Sequence, residues 1–481
     1  MSRFNKIKNQ VPAPYTNYAG GKAYKQSPEE ELVSILLTSF MQDQFYRSAN
    51  DTAKRLALLA GKVDALFAAK AAVFARTVFG MRSVSHVLAA ELAWQASGMP
   101  WAKNFYNQVV HRPDDMTEIL TYYFNTKVMV MPNAMKKGFA AAFNKFDGYQ
   151  LAKYRGADKV MKLVDVVNLV HPTPNNQNRE ALALLVQDKL RSNNTWETKL
   201  TQAGQVANSD EEKNQLKAAV WEELITSGKL GYFALLRNLR NIIAAVSDQT
   251  LKTALDMLTN PKLITQSLVL PFRFATAYNE LMPLKKEYGK KMNKVLAALE
   301  RAIDISLYNV PVFEGDTLVV LDTSGSMVGK PAKIGSLFAT ILVKSNNADF
   351  ITFSDEAAYR YLPDNRNTLT TARNIQFAMG GTNFHAIFKT ANRAYDRIII
   401  LSDMQGWVGY DTPDASFTNY KAKYETNPFV YSFDLQGYGS MQFMNDKVIA
   451  LAGFSEKILE FMAVAETNPA ALIDRINQIT L

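Results

Sequence analysis

Residues 319–330 read VVLDTSGSMVGK: an apolar run that ends in three oxygen-bearing side chains, Asp322, Ser324 and Ser326, at alternate positions. One anion and two hydroxyls on a tight turn are half of a site for a hard cation. Mg²⁺ takes about six oxygens near ~2.1 Å and keeps some of its waters. Gly325 relaxes the backbone between the donors. A second loop, MGGTNFH, brings Thr382, with two glycines to permit close approach. A third, LSDMQG, brings Asp403. No thiol exists anywhere in the chain, which argues against zinc and for a divalent metal such as Mg²⁺. Metal-assisted hydrolysis needs a positioned base and an open water site. His385 is the obvious base, but its place reads better as the start of the following helix. No Gly-x-x-x-x-Gly-Lys-Ser/Thr loop is present to cradle phosphates, so an ATPase has no support.

A second constellation is basic. Residues 132–163 hold seven Lys and Arg against two acidic residues. Met135, Phe139, Ala142, Phe143 and Phe146 fall on one helical stripe that must face a core. Lys136, Lys137 and Lys145 lie off it and are expected to project outward. Lys153, Tyr154 and Arg155 follow, then Lys159 and Lys162, and the segment ends at His171-Pro172. Cationic side chains neutralise phosphates, and Tyr, His and Arg faces stack on unpaired bases. His171 also reads as a helix C-cap near the negative dipole end. Arg82 is either a further RNA contact or a buried partner of Glu91, and His86 reads as packed within its helix. The cluster Lys285, Lys286, Lys290, Lys291 and Lys294 either lines RNA or is a solvated face.

The elements that must carry these groups are of two kinds. From Ser27 to about Ala302 the periodicity is helical. Ser27 is an N-cap, Pro28 sits at N1 and three glutamates fill the first turn of a helix over 28–42. Helices are expected over 64–79 and 83–97, with Gly61, Gly80 and Gly98 as stops, and near 115–130, 134–147, 159–170, 178–191, 210–226, 230–246, 248–258, 273–282 and 287–306. Many short helices with brief breaks point to stacked helix pairs, with a compact bundle as the alternative. After Pro311, apolar strands alternate with helices, which implies a parallel sheet covered on both faces. Asp322 and Asp403 then fall at the carboxyl ends of strands, where open α/β sheets bind ligands. The Pro-, Asn- and Gly-rich stretch before Ser27 reads as an extended arm. The expected divisions are 1–26, 27–308 and 309–481.

Charge separates the two parts. Residues 1–305 carry 40 basic and 27 acidic side chains, a net of +13, and residues 306–481 carry 14 and 18, a net of −4. A basic helical part suits a polyanion. The basic, polar start has no apolar core of a secretory signal, no run approaches the ~20 residues of a membrane span, and cysteine is absent, so a cytoplasmic protein is expected.

Asp322, Ser324, Ser326, Thr382 and Asp403 stand in the order of the metal-ion-dependent adhesion site of von Willebrand factor A domains, and the C-terminal part resembles that domain. The chain as a whole resembles the Ro ribonucleoprotein (TROVE-module) family. The segments that carry this likeness are NYAGGKAY (17–24), SPEEELVSILLTSF (27–40), FGMRSVSHVLAAELA (79–93), the 132–171 stretch and the A domain. The resemblance implies an α-helical HEAT-like repeat ring, closed by an α/β von Willebrand factor A domain, in a monomeric protein. It implies binding of a small non-coding Y RNA on the outer basic surface and of single-stranded ends of misfolded RNAs in the central hole. Roles in RNA quality control and stress survival, an exoribonuclease partner and no catalysis follow from it as well. Carried over by position, the Y RNA contacts are Lys153 and His171. The family's second basic position is Ala157 here, and Arg155 or Lys159 is expected to substitute, with Lys136, Lys137, Lys162 and Arg82 as further RNA contacts by charge. Two rivals stand beside this reading: a metal-dependent protein-binding adhesion scaffold, and a metal nuclease.

Overall fold

The computed structural model describes residues 15–17, 19–25, 27–38, 49–127, 130–190, 196–206, 209–409, 412–435, 440–443, 447–452, 459, 462–463, 466 and 471–481. The chain forms two compact units. One comprises residues 1–193, 402–423 and 427–481, and the other residues 194–401 and 424–426. No described helix is long and apolar enough to cross a membrane.

The first unit opens with short strands β1 (Tyr15–Thr16) and β2 (Lys22–Lys25), paired antiparallel. The described part of the expected arm is therefore a hairpin, while residues 1–14 lie outside the described residues. At the first helix, Pro28–Thr38, the Ser27 hydroxyl accepts from Glu30 N–H (3.2 Å) and the Glu30 carboxylate from Ser27 N–H (3.0 Å). This reciprocal cap satisfies two orphan donors and starts the helix where its sequence says it should. Residues 39–42 of that expected helix lie outside the described residues. Helices then run Ala49–Ala60, Ala65–Thr77, Ser83–Glu91, Ala102–Val109, Pro113–Lys127 and Asn133–Ala142. Each packs against near neighbours in sequence: Ser83–Glu91 against Ala65–Thr77 and Pro113–Lys127, and Ala102–Val109 against Asn133–Ala142. That near-neighbour pattern is a stacked array rather than one closed bundle.

Several expectations shift. The Ala49–Ala60 and Ala102–Val109 helices were not foreseen, although the buried Ala102, Phe105, Tyr106 and Val109 fall at helical spacing. The helix expected over 134–147 turns into a 3₁₀ segment, Phe143–Lys145. The one expected over 159–170 starts only at Leu163. There Gly156 takes φ +66° and Leu163 N–H bonds back to Arg155 C=O, so residues 155–162 form a closed loop. Strands β7 (Phe429–Asp434) and β9 (Val448–Ala452) pair parallel, and β8 (Ser440–Met441) joins β2 antiparallel. The Ala471–Gln478 helix packs on Ala65–Thr77.

In the second unit, Trp196–Val206 packs on Asp210–Thr226 and Pro271–Leu281 on Lys285–Ser306. Trp221, Leu235, Ile242, Phe274, Met292 and Leu299 share its helical core. The single helix expected over 230–246 is two, Tyr232–Arg237 and Leu239–Ala245, broken at Asn238, whose amide bonds to Ala234 C=O. The α/β portion places β3 (Thr317–Asp322) between β4 (Asp349–Phe353) and β6 (Arg397–Ser402), both parallel to it. β3 and β6 are buried throughout, as continuous apolar strands require. A short antiparallel strand, β5 (Ala357–Tyr359), edges β4 and makes the sheet mixed rather than purely parallel. Its three residues carry too little pattern to be read as a strand.

Candidate metal centre and nucleic-acid interface

In the second unit, β3 delivers Asp322 to the carboxyl end of the sheet. Thr323 next to it is tied to the end of β4: its N–H and hydroxyl both donate to Phe353 C=O, at 2.8 and 2.9 Å. That anchor leaves the alternate residues of the turn free to converge. Ser324 N–H donates to Asp322 Oδ1 (2.8 Å), and the Ser324 and Ser326 hydroxyl oxygens stand 3.2 Å apart. Adjacent oxygens around an octahedral ion with ~2.1 Å bonds are separated by about 3.0 Å, so this spacing suits two ligands of one hard cation. Asp322 and Ser324 are buried, and Ser326 is exposed, so the turn runs from the interior to the surface.

The loop bearing Thr382 is laced to that turn. Met379 N–H donates to Thr323 C=O (2.9 Å) and Gly325 N–H to Gly380 C=O (3.0 Å). Met379 takes φ +64° to make the approach. Thr382 is itself buried. Asp322, Ser324, Ser326 and Thr382 thus belong to two loops joined backbone to backbone. His385 is the second residue of the Phe384–Thr390 helix.

Asp403, in the first unit, is buried too. Its Oδ1 accepts Gln405 N–H (3.1 Å), and Met404 N–H donates to the Ser402 hydroxyl (3.0 Å). The loop is held from two sides. Gln442 Nε2 donates to Met404 C=O (2.7 Å), and the buried Asn17 amide donates to Gly406 C=O (2.8 Å). Among the described residues no three His, Asp or Glu side chains gather to hold a metal. The side-chain oxygens of these loops are chiefly hydroxyls, with single carboxylates at Asp322 and Asp403.

The basic segment lies in the first unit. Met135, Phe139, Ala142, Phe143 and Phe146 are all buried, so the stripe is core. Lys137, Lys153, Lys159 and Lys162 are exposed, and Lys136 is half-buried. Lys145 is exposed as expected, but its charge is engaged within the fold. Its ammonium donates to Asn107 C=O and Val110 C=O, closing the carbonyl end of the Ala102–Val109 helix. Desolvation of the ammonium beside those carbonyls pushes its pKa down to about 8. Arg155 donates to Leu190 C=O at 2.5 Å. His171 caps the Leu163–Val170 helix in the left-handed region (φ 48°) with its side chain exposed. Tyr154 has two cations beside it, with the Arg112 guanidinium 4.4 Å and the Lys153 ammonium 5.6 Å from its ring centre. Arg112 lies 42 residues before Tyr154 along the chain, and nothing in its sequence neighbourhood marks it for this role.

Arg82 is committed elsewhere. It bonds to Asp114 (2.9 Å), Asp115 (3.2 Å) and Glu118 (3.1 Å). Glu91, the partner considered for it, instead takes Lys127 (2.6 Å) and Tyr122 (2.9 Å). Asp115 is fully buried and accepts from Arg76, Arg82, His86 and the His111 and Arg112 N–H groups. In the second unit, Lys291 is tied to Val246 C=O (3.0 Å), while Lys285, Lys286, Lys290 and Lys294 are exposed.

Against this geometry stand the likenesses to known proteins. The TROVE domain family model matches residues 37–187 and 186–311. The chain is 22% identical over 355 residues to telomerase protein component 1 of Mus musculus, covering 55% of this chain and 13% of that one. Against telomerase protein component 1 of Rattus norvegicus it is 23% identical over 310 residues, covering 47% and 11%. The chain therefore spans only about an eighth of the length of these curated relatives. Among solved structures, the crystal structure of Deinococcus radiodurans RO (RSR) protein matches with a TM-score of 0.65 at 17% identity, covering 91% of this chain and 100% of that one. That likeness establishes a shared fold.

Proposed function

Because the chain belongs to the TROVE domain family of RNA-binding ribonucleoproteins, we propose that it binds small structured RNA through the exposed basic face of its first unit. The single observation that carries this reading is the half-exposed Tyr154 ring beside Arg112 and Lys153, inside the segment matched by the family model. Two cations beside an aromatic face offer phosphate neutralisation and base stacking in one place. Exposed Lys137, Lys159, Lys162 and His171 extend the same chemistry. The RNA class we propose is a small non-coding Y-type RNA together with the single-stranded ends of misfolded RNAs. The setting is RNA quality control in the cytoplasm, with an exoribonuclease as protein partner and no catalysis by this chain. Binding of a structured small RNA by purified protein, measured by gel shift against a Lys153→Ala, His171→Ala variant, tests it. A large loss of affinity with an unchanged circular dichroism spectrum is expected. Equal affinity would remove the patch.

The second loop system supports a cation reading. The 3.2 Å separation of the Ser324 and Ser326 hydroxyl oxygens beside the Asp322 carboxylate fits Mg²⁺. Asp322, Ser324, Ser326 and Thr382 are the proposed donors, and Asp403 is added on motif order alone. A bound ion would supply a positive docking point for an acidic group of a partner. Calorimetric titration with Mg²⁺ tests this, and Asp322→Ala is expected to abolish the signal.

A further inference from the structure

We infer that Asp355, just past the end of β4, is a positioning residue that sets Thr382 for the cation; this rests on the metal reading above. Asp355 Oδ1 accepts Gly381 N–H (3.0 Å) on one side of Thr382. On the other side, the Asn383 amide donates to Asp355 C=O (2.9 Å) and Asn383 N–H to Ser354 C=O (2.9 Å). Thr382 is thus bracketed by three bonds from one two-residue corner. Gly380 is part of the same device. A Cβ there would run into the Asp355 carboxylate, with Cγ at 3.0 Å, so any larger residue would have to displace that side chain.

The Asp355 side chain contributes little to packing, because it is exposed. What it does is orient. Groups that hold a metal ligand from behind fix its direction, and losing one typically weakens metal affinity by about 10- to 100-fold. The Met379 and Gly325 bonds fix the start of the loop, and Asp355 fixes the part that carries the hydroxyl.

The test is calorimetric titration of the full chain with Mg²⁺, with the fold checked by circular dichroism. Asp355→Ala is expected to weaken binding about tenfold. Asp355→Asn keeps an acceptor oxygen for Gly381 N–H without the charge, and is expected to stay within about threefold of wild type. The double variant Asp355→Ala, Thr382→Ala should bind no more weakly than Thr382→Ala alone, since Asp355 acts through Thr382. Wild-type affinity in Asp355→Ala overturns the inference. So does an Asn variant as weak as the Ala variant, which would mean simple charge attraction, or additive losses in the double variant. A wild-type chain that binds no Mg²⁺ removes the metal reading itself, a result distinct from any of these.

Discussion

The Asp115 carboxylate and the His86 imidazole meet at 3.0 Å inside the first unit, with 0% and 2% of their surfaces exposed. His86 Nδ1 lies 2.9 Å from Glu118 on its other side. Burial works against a charged His86, but the Asp115 and Glu118 contacts outweigh it and hold its pKa above the ordinary 6.5. Burial likewise opposes the Asp115 anion. The His86 hydrogen bond, the charges of His86 and Arg76, and the His111 N–H outweigh that and hold it far below its ordinary 3.8.

The pH dependence follows in sign. A depressed carboxylate stabilises above its unfolded value and loses that contribution as pH falls toward the folded one; a raised histidine stabilises below its unfolded value and loses it as pH rises through the folded one. Wild-type thermal stability is therefore expected to be highest between about pH 4 and 6.5 as far as this pair decides it, and to decline on both sides. Asp115→Ala leaves Arg76 buried without its carboxylate and should cost about 3–5 kcal/mol in urea unfolding. A loss under 1 kcal/mol would show the network to be unimportant.

Helix approach gives a second prediction. Gly138 on the Asn133–Ala142 helix lies so close to the Ala102–Val109 helix that a Cβ would collide with Tyr106 Cβ and sit 2.8 Å from Lys103 C=O. Tyr106 cannot retreat, because its hydroxyl donates to Ala89 C=O (3.0 Å) and its ring packs edge-on to Phe139. Gly138→Ala is expected to destabilise by about 1–3 kcal/mol, seen as a lowered melting temperature.

Two lysines of the basic segment should separate in RNA binding. Both are exposed, but Lys145 spends its ammonium on backbone carbonyls. Each phosphate contact contributes roughly 0.7 to 0.9 to the slope of log affinity against log salt. Lys153→Ala should reduce that slope by about 1. Lys145→Met should leave it unchanged and instead lower stability by about 1 kcal/mol, since two helix-end carbonyls lose their donor. Equal slopes for wild type and Lys153→Ala would count against the phosphate contact.

Cation removal gives the last. A ligand that binds only the folded state raises stability by about 2.7 kcal/mol at a hundredfold excess over its Kd. Mg²⁺ should raise the melting temperature of the wild type, chelation should reverse the shift, and Asp322→Ala should respond to neither. The same response in both proteins would place the ion elsewhere.

Much of this protein is local enough to be read in one dimension. Ser27, Pro28 and the glutamates after them mark a helix start because a cap needs only residues three apart. The runs ending at Asp322 and Asp403 mark strands because burial on both faces demands continuous apolar residues. The stripe from Met135 to Phe146 marks a core for the same reason. What tertiary structure alone decided are the partnerships between distant residues. Arg82 took Asp114, Asp115 and Glu118 rather than Glu91. Lys145 bonded to helix-end carbonyls. Arg112 reached Tyr154, and Asp355 reached the loop of Thr382. Periodicity tells which face of an element is buried. Which donor meets which acceptor depends on where separate elements come to rest, and a charged side chain has the same pattern in sequence whether it ends in water, on a carboxylate or on a carbonyl.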